Sequence, residues 1–473
     1  MKKLTRKDFA RLSSLAGLAL LLEPFKSFGT EINNQLYTNG SDNVVYIRKG
    51  AADYDTLRRG YNLRINKYPE VIALCLNTNG VSEAIKYAKE KNLPVTIKSG
   101  GHCMEGFSVT DGGMVINLSK MNSVEWTGAY EVTLGPGCNL SRLYDNILPK
   151  GKILPGGSCA GVAIGGLSLG GGYGLMSRLF GLTCDSLQAL TMVDGEGNIH
   201  NASGNDELMW ACRGGGNGNF GVVTQMKFKV HNAPKSMESF RFRSFNVTPA
   251  AAKEVMRQWF DISAALPRSC FSAFLLNYKT IYILLTNTSS RSAAVTKAIN
   301  DLKKITTKFT ETKSQPLASA LKTYYGRPEP MEFKNASAGL YKGFGDINGC
   351  VEEALGIVTQ SPGMIYQVNT LGGEVTQAGN AASSCFAHRD ALFFSELQCY
   401  WGSAAGKTKL MANFEKVQQV FIKHGIKAQY RNYPDINFKN WGEYYYGANY
   451  ARLQQIKKKY DPNNRVQGAQ SVR

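Results

Sequence analysis

Three glycine-rich stretches hold the residues whose chemistry stands out. In residues 95–109 (VTIKSGGHCMEGFSV) a strand-like run leads into Ser99-Gly100-Gly101, whose small side chains expose backbone N–H groups able to hold a pyrophosphate. His102 follows at once, so its imidazole stands beside whatever those amides bind. The bland alternative is a strand-to-loop glycine turn with a chance histidine. In residues 154–187 Cys159 stands just ahead of Gly165-Gly166 and Gly170-Gly171-Gly172. These glycines do not form G-x-G-x-x-G between a strand and a helix, and no ribose-binding acid lies at the expected distance. A Rossmann dinucleotide site is therefore excluded. Glycines crowded in this way fit close approach by a large planar cofactor, whereas Cys159 by itself reads as a buried, inert thiol. Residues 210–230 (WACRGGGNGNFGVVTQMKFKV) form a third glycine loop running into an apolar strand.

In this order and spacing, the three stretches resemble the PCMH-type FAD-binding domain of the berberine bridge enzyme family, within the vanillyl-alcohol-oxidase-type flavoproteins. The C-terminus, residues 428–465, is similar to the family's Tyr-x-Asn-Tyr segment, its YYG-x-N-x-x-RL helix and its Tyr-Asp-Pro-x-Asn end. Residues 386–402 (FAHRDALFFSELQCYWG) are similar to its Phe-x-His-Arg strand. The resemblance implies FAD bound covalently twice, by His102 at the flavin 8-methyl group and by Cys159 at ring carbon C6. It implies that Ser99, Gly100, Gly101 and Gly106 form the pyrophosphate loop, and that Gly165, Gly166 and Val223 line the flavin and adenosine. Tyr430 matches the active-site tyrosine, and as a general base it needs a pKa well below the usual value of about 10. Tyr173 falls where many members place a second tyrosine. Glu396 and Gln398, two apart on a strand and so on one face, match positions that orient substrate or supply a carboxylate. Their alternative is a solvated strand face, since a register slip of one residue flips the faces. Val162 matches the gatekeeper position, where valine goes with oxygen access and favours an oxidase. Two departures, Leu167 in place of a histidine and Met104 in place of a tyrosine common in plant members, argue against carrying over plant substrates.

Elements must position these residues. The spacing predicts strands at 71–76, 95–98, 114–117, 132–134, 190–193 and 222–230, with helices at 81–91 and 139–148. Residues 233–236 read as a linker. Beyond it, strand-like runs at 240–245, 271–276, 281–285 and 392–400 alternate with long helical patterns such as 250–265. The expectation is an α+β chain: a two-subdomain FAD-binding domain over 40–235, then a substrate domain over 236–425 with helices on one face of an antiparallel sheet. Residues 426–473 return to the FAD domain, and residues 1–30 form an export signal.

Lys2, Lys3, Arg6, Lys7 and Arg11 precede an apolar stretch, 12–22, too short to span a bilayer. The run Thr5-Arg6-Lys7-Asp8-Phe9 is similar to a twin-arginine signal with Lys for the second Arg, which leaves the general secretion route open. Periplasmic or extracellular localisation follows, with no stable membrane insertion. The net charge of +19 comes from scattered basic residues, and the densest run, 457–459, reads as a solvated helix face, so nucleic-acid binding is not indicated. The ten cysteines stand singly, without C-x-x-C pairs, so neither a metal site nor a compact disulfide framework is indicated.

The reading is an FAD-dependent oxidase. It takes a hydroxyl of a sugar, oligosaccharide or aromatic metabolite as donor and O2 as acceptor, and releases hydrogen peroxide. The alternatives are a flavin dehydrogenase using another acceptor, and a binding protein on a degenerate flavoenzyme scaffold.

Overall fold

The computed structural model describes residues 41–473, so the expected export signal lies outside the described residues. A four-stranded sheet in the order Val44–Arg48, Val71–Cys75, Met114–Asn117, Val95–Lys98 opens the chain. Its first pair is antiparallel and the others are parallel, joined by the crossover helix Thr78–Glu90. That helix starts where Asn77 accepts from the Gly80 N–H, and it buries Val81, Ala84, Ile85 and Ala88 along one stripe. The chain leaves the carboxyl end of Val95–Lys98 through Ser99–His102, and outside such strand ends is where open α/β sheets receive ligands.

A five-stranded antiparallel sheet follows, in the order Val124–Gly128, Glu131–Leu134, Gly221–Lys229, Leu187–Asp194, Ile199–Ser203. Between Glu131–Leu134 and Leu187–Asp194 the chain makes the helix Leu140–Ile147, the Cys159 loop, the short helix Ile164–Leu169 and the glycine run.

The remaining sheet has seven strands, all antiparallel: Lys308–Pro316, Ser236–Ser244, Thr280–Asn287, Cys270–Asn277, Met364–Thr370, Phe393–Tyr400 and Phe333–Tyr341. Helices Pro249–Ala264, Ala293–Lys304, Val351–Thr359 and Ala404–Lys423 cover one face, where Phe240, Phe274, Tyr366 and Leu397 pack with Trp259, Leu302, Leu355 and Phe421. This is the α+β arrangement expected from the sequence. Alternate residues point the other way: Leu275, Leu284 and Ile365 join the apolar core of the five-stranded unit. The C-terminus comes back to the first sheet, where the Val95 N–H donates to Arg465 O (2.9 Å) and the Gln467 N–H to Val95 O (2.9 Å).

One detail differs from expectation. Lys457 is not on a solvated face. Its Nζ is buried on Asp461 (2.6 Å), Asn219 O (2.7 Å) and Val466 O (2.6 Å), while Lys458 and Lys459 are exposed. The helix end is therefore an anchor for the returning chain, with the lysine satisfied by one carboxylate and two carbonyls. None of the ten cysteines pairs in a disulfide among the described residues, and only Cys103 and Cys159 escape burial.

One buried cluster ties three distant segments together. Lys334 Nζ binds Asp435 (2.7 Å) and Glu105, and Glu105 also takes Arg64 (2.8 Å). Glu105 lies three residues past His102, Lys334 is on the strand Phe333–Tyr341, and Asp435 follows the Tyr430 segment. Removing one partner of a buried pair leaves charge without compensation, at about 3–5 kcal/mol. Lys334→Met should therefore lower the thermal midpoint markedly in a melting experiment. Lys342→Met, which breaks an exposed pair with Asp390, should change stability by less than about 1 kcal/mol.

Candidate active site

A cavity of about 1220 Å³ lies where the seven-stranded sheet faces the four- and five-stranded sheets. Ligand sites usually occupy about 300–1,000 Å³, so this space exceeds the need of one small substrate. Ser99, Gly100, Gly101, His102, Cys159, Val162, Gly165, Gly166, Tyr173, Val223, Glu396, Gln398 and Tyr430 all line it. Gly106 does not. It is held at φ +67°, and a Cβ there would lie 2.4 Å from Ile65 Cγ2, so its glycine serves a tight turn against Ile65.

The walls fit a flavin nucleotide. The N–H groups of Gly100, Gly101 and His102 have no protein acceptor among the described residues, which makes them a nest for an anion. Thr96 Oγ1 and Asn217 Oδ1, both on residues lining the cavity, are buried with no partner. Buried polar atoms are rarely left so, and a bound ligand answers them. The His102 ring stacks on Tyr61 at 4.6 Å, and its Nε2 faces Gly161, where a Cβ would come within 2.9 Å. The Cys159 loop is pinned to the far side of the site: the Ala160 N–H donates to Tyr325 O (3.0 Å) and the Leu140 N–H to Val162 O (3.0 Å). Tyr61 Oη donates to Arg327 O (2.9 Å), so one crossing segment braces both loops. Burial pushes the His102 imidazole down to about 4, which leaves it neutral at pH 7. Cys159 opens onto the cavity but is ringed by protein, and this holds its thiol up at about 11.

The opposite wall is the sheet. On Phe393–Tyr400 the period of two sends Leu397 and Cys399 to the helices and Phe394, Glu396, Gln398 and Tyr400 to the cavity. Gln367 pairs with Glu396 in register, and Asn335 with Gln398, so amides surround the carboxylate. Asn335 Nδ2 donates to Glu396 (2.9 Å), Gln367 Nε2 to Asn369 (2.8 Å) and Tyr400 Oη to Gln398 (2.8 Å). Burial raises Glu396 to about 7, against the pull of hydrogen bonds from Asn335, Asn369 and Gln398.

Tyr430 hangs between the two walls. Its segment runs beside Phe333–Tyr341, with the Tyr430 N–H donating to Ser337 Oγ (3.0 Å) and the Ser337 N–H to Tyr433 O (2.8 Å). Its Oη accepts from the Gly172 N–H (3.0 Å) and from Asn432 Nδ2 (3.0 Å). Both donors favour a phenolate, yet burial wins and holds the phenol up at about 12. The lowered value a resting base requires is thus not present, and Glu396 is the better proton acceptor near neutrality. Tyr173 lines the cavity edge-on to Phe394 (4.4 Å), but its hydroxyl proton is committed to Thr370 O (2.6 Å), which makes it a wall.

Sequence reasoning missed Asn432, Tyr61 and the amides Asn335, Gln367 and Asn369. Asn432 was visible as the third residue of Tyr-Arg-Asn-Tyr. The amides were visible only as isolated polar positions in runs that the sequence reading left unassigned.

Comparisons with known proteins agree with this geometry. The sequence model of an FAD binding domain matches residues 69–203, and that described as "Berberine and berberine like" matches residues 429–473. The FAD-linked oxidoreductase YvdP of Bacillus subtilis is 31% identical over 445 residues, covering 90% of this chain and 97% of that one. The chitooligosaccharide oxidase of Gibberella zeae is 27% identical over 444 residues, covering 87% and 89%. Among solved structures, wild-type BBE-like 1 of Physcomitrella patens superposes with a TM-score of 0.83 at 22% identity, covering 91% and 97%, which shows a shared fold.

The Glu396 shift carries a stability consequence. Its folded value, about 7, lies above its ordinary 4.5, so its favourable contribution is present below 4.5 and is lost as pH rises through 7. Glu396→Gln should remove this loss. The stability gap in favour of the variant should widen by up to about 3 kcal/mol between pH 4.5 and 8, read by thermal or urea unfolding. Parallel pH profiles would contradict a buried, titrating carboxyl.

Proposed function

The chain belongs to the FAD-linked oxidoreductases of the berberine and berberine like family, and from that premise we propose that it oxidises a hydroxyl-bearing carbon of a sugar or oligosaccharide with O2 as acceptor. Its FAD is held by two covalent bonds, through His102 and Cys159. When bound, the FAD supplies a two-electron acceptor for the substrate's hydride and passes the electrons to O2, giving hydrogen peroxide.

The chain's own residues place and deprotonate the substrate. The nest at Gly100–His102 receives the cofactor's phosphates, and the neutral His102 imidazole is the nucleophilic form its linkage needs. The amide-lined floor of Asn335, Gln367, Asn369 and Gln398 offers donors and acceptors in the density that a polyhydroxylated ligand requires. The observation that carries the reading is Tyr430 Oη under two N–H donors in one cavity with Glu396, a carboxyl half ionised near pH 7. Tyr430 Oη hydrogen-bonds the substrate hydroxyl, its two donors stabilise the charge that develops, and Glu396 is the final proton acceptor. The 27% identity to a chitooligosaccharide oxidase supports the sugar class. Val162 at the gatekeeper position supports O2. The basic and apolar residues 2–22 support export to the periplasm or beyond.

The base must be ionised to work, so kcat/KM should fall about tenfold per pH unit below 7 and level off above it. Glu396→Gln should abolish that limb. Tyr430→Phe should lower kcat/KM by about 100-fold or more with folding intact. A panel of mono- and oligosaccharides and aromatic alcohols, assayed for peroxide, tests the proposal, with one peroxide expected per substrate oxidised. If enzyme reduced without air reoxidises only slowly on aeration, oxygen is not the acceptor.

A further inference from the structure

Five arginines are buried among the described residues, and four have acceptors for at least one Nη, although the Nε of Arg178 and that of Arg389 have none. Arg58 meets Asp55 (2.6 Å), Asn66 (2.8 Å) and Lys67 O (3.1 Å). Arg178 meets Leu371 O (2.7 Å) and Leu266 O (2.8 Å). Arg213 donates to Leu187 O, Gly204 O and Ser383 O, and Arg389 is clasped by Asp185 at 2.6 and 2.9 Å. Arg431 is the exception. It is 7% exposed, and its Nε donates to Tyr446 Oη at 3.1 Å. No carboxylate pairs with it, and neither Nη has a protein acceptor among the described residues. Its flanks are the rings of Phe107 and Tyr445, each 5.5 Å from Cζ.

A guanidinium only 7% exposed with one neutral partner is costly, because its Nη donors meet little water and no protein acceptor. Two aromatic rings return part of that cost and no more. Arg431 lines the main cavity and follows Tyr430 directly, while Phe107 belongs to the loop that begins at Ser99-Gly100-Gly101-His102. The planar fork therefore stands at the cofactor wall with its donors unspent. We infer that Arg431 is the cationic anchor for a negatively charged oxygen of the bound flavin nucleotide, a reading that rests on the FAD site described above. Two parts of that molecule carry such oxygens: the diphosphate, always charged, and the ring's pyrimidine edge, charged after two-electron reduction. A guanidinium answers either with two parallel N–H bonds.

The test uses the full chain as wild type, Arg431→Gln and Arg431→Lys, with two readouts: FAD bound per chain at limiting FAD, and the flavin midpoint potential. If the partner is the diphosphate, Arg431→Gln captures FAD at least about tenfold more weakly and keeps its potential. If the partner is the reduced ring, FAD content holds and the potential falls by about 30 mV for each tenfold loss of preference for the reduced form. Arg431→Lys keeps the cation without the fork and should fall between, and it carries the test if Arg431→Gln does not fold. Wild-type values for both readouts in a folded Arg431→Gln overturn the inference. A wild-type chain that takes up no flavin overturns the underlying cofactor reading as well, so the two failures are distinguishable.

Discussion

The site depends on a single buried ammonium. Lys334 Nζ sits between Glu105 and Asp435, which lie 229 and 101 residues from it in the chain. Each of these charges is costly alone, since a carboxylate or ammonium leaving water loses several kcal/mol of hydration. Together they are tolerable only in one arrangement. That arrangement brings the loop after His102, the first cavity strand and the segment after Tyr430 to a common point. What such a cluster contributes is registry more than stability.

Around that point, sheet alternation sorts chemistry from packing. The strand Phe393–Tyr400 gives its apolar residues to the helices and its carboxyl and amide to the cavity, and a shift of one residue would exchange them. The cavity side is polar yet mostly closed to water. Hydrogen-bonded amides there are held in fixed orientations, and the group with the largest charge to hide, Glu396, answers by titrating near neutrality. Asn335 Oδ1, buried and without a partner on this floor, marks where a donor on a substrate is wanted. The same low-dielectric setting raises Tyr430, despite two N–H donors, so the division of labour between phenol and carboxyl is an electrostatic outcome of burial.

Much of this was legible in the sequence because it is local. Glycine runs, the His102 and Cys159 that punctuate them, the strand that feeds Ser99, and the Glu396/Gln398 spacing all lie within short windows. Gly106 stands off the cavity, and a glycine needed for a left-handed turn against Ile65 has the same letter as one needed beside a phosphate. Lys457 was misread because helix periodicity does not reveal that Asn219 and Val466 fold over it. The amides of Met364–Thr370 went unnoticed because only Gln367 and Asn369 alternate with apolar residues, a run too short to mark a face. Tyr61, stacked on His102, and Arg431, lacking an acid, are meaningful only once distant loops have met. Burial-driven pKa shifts belong to the same class.

The central claim is that His102 and Cys159, carried on separate loops, both bond one flavin. Acid precipitation of the purified chain, followed by intact-mass measurement of the pellet, tests it most directly. The account predicts that the colour stays with the protein as a single FAD adduct, and that His102→Ala and Cys159→Ala each retain it through the remaining bond, while the double variant releases it. Flavin released into the supernatant from the unmodified chain would contradict it.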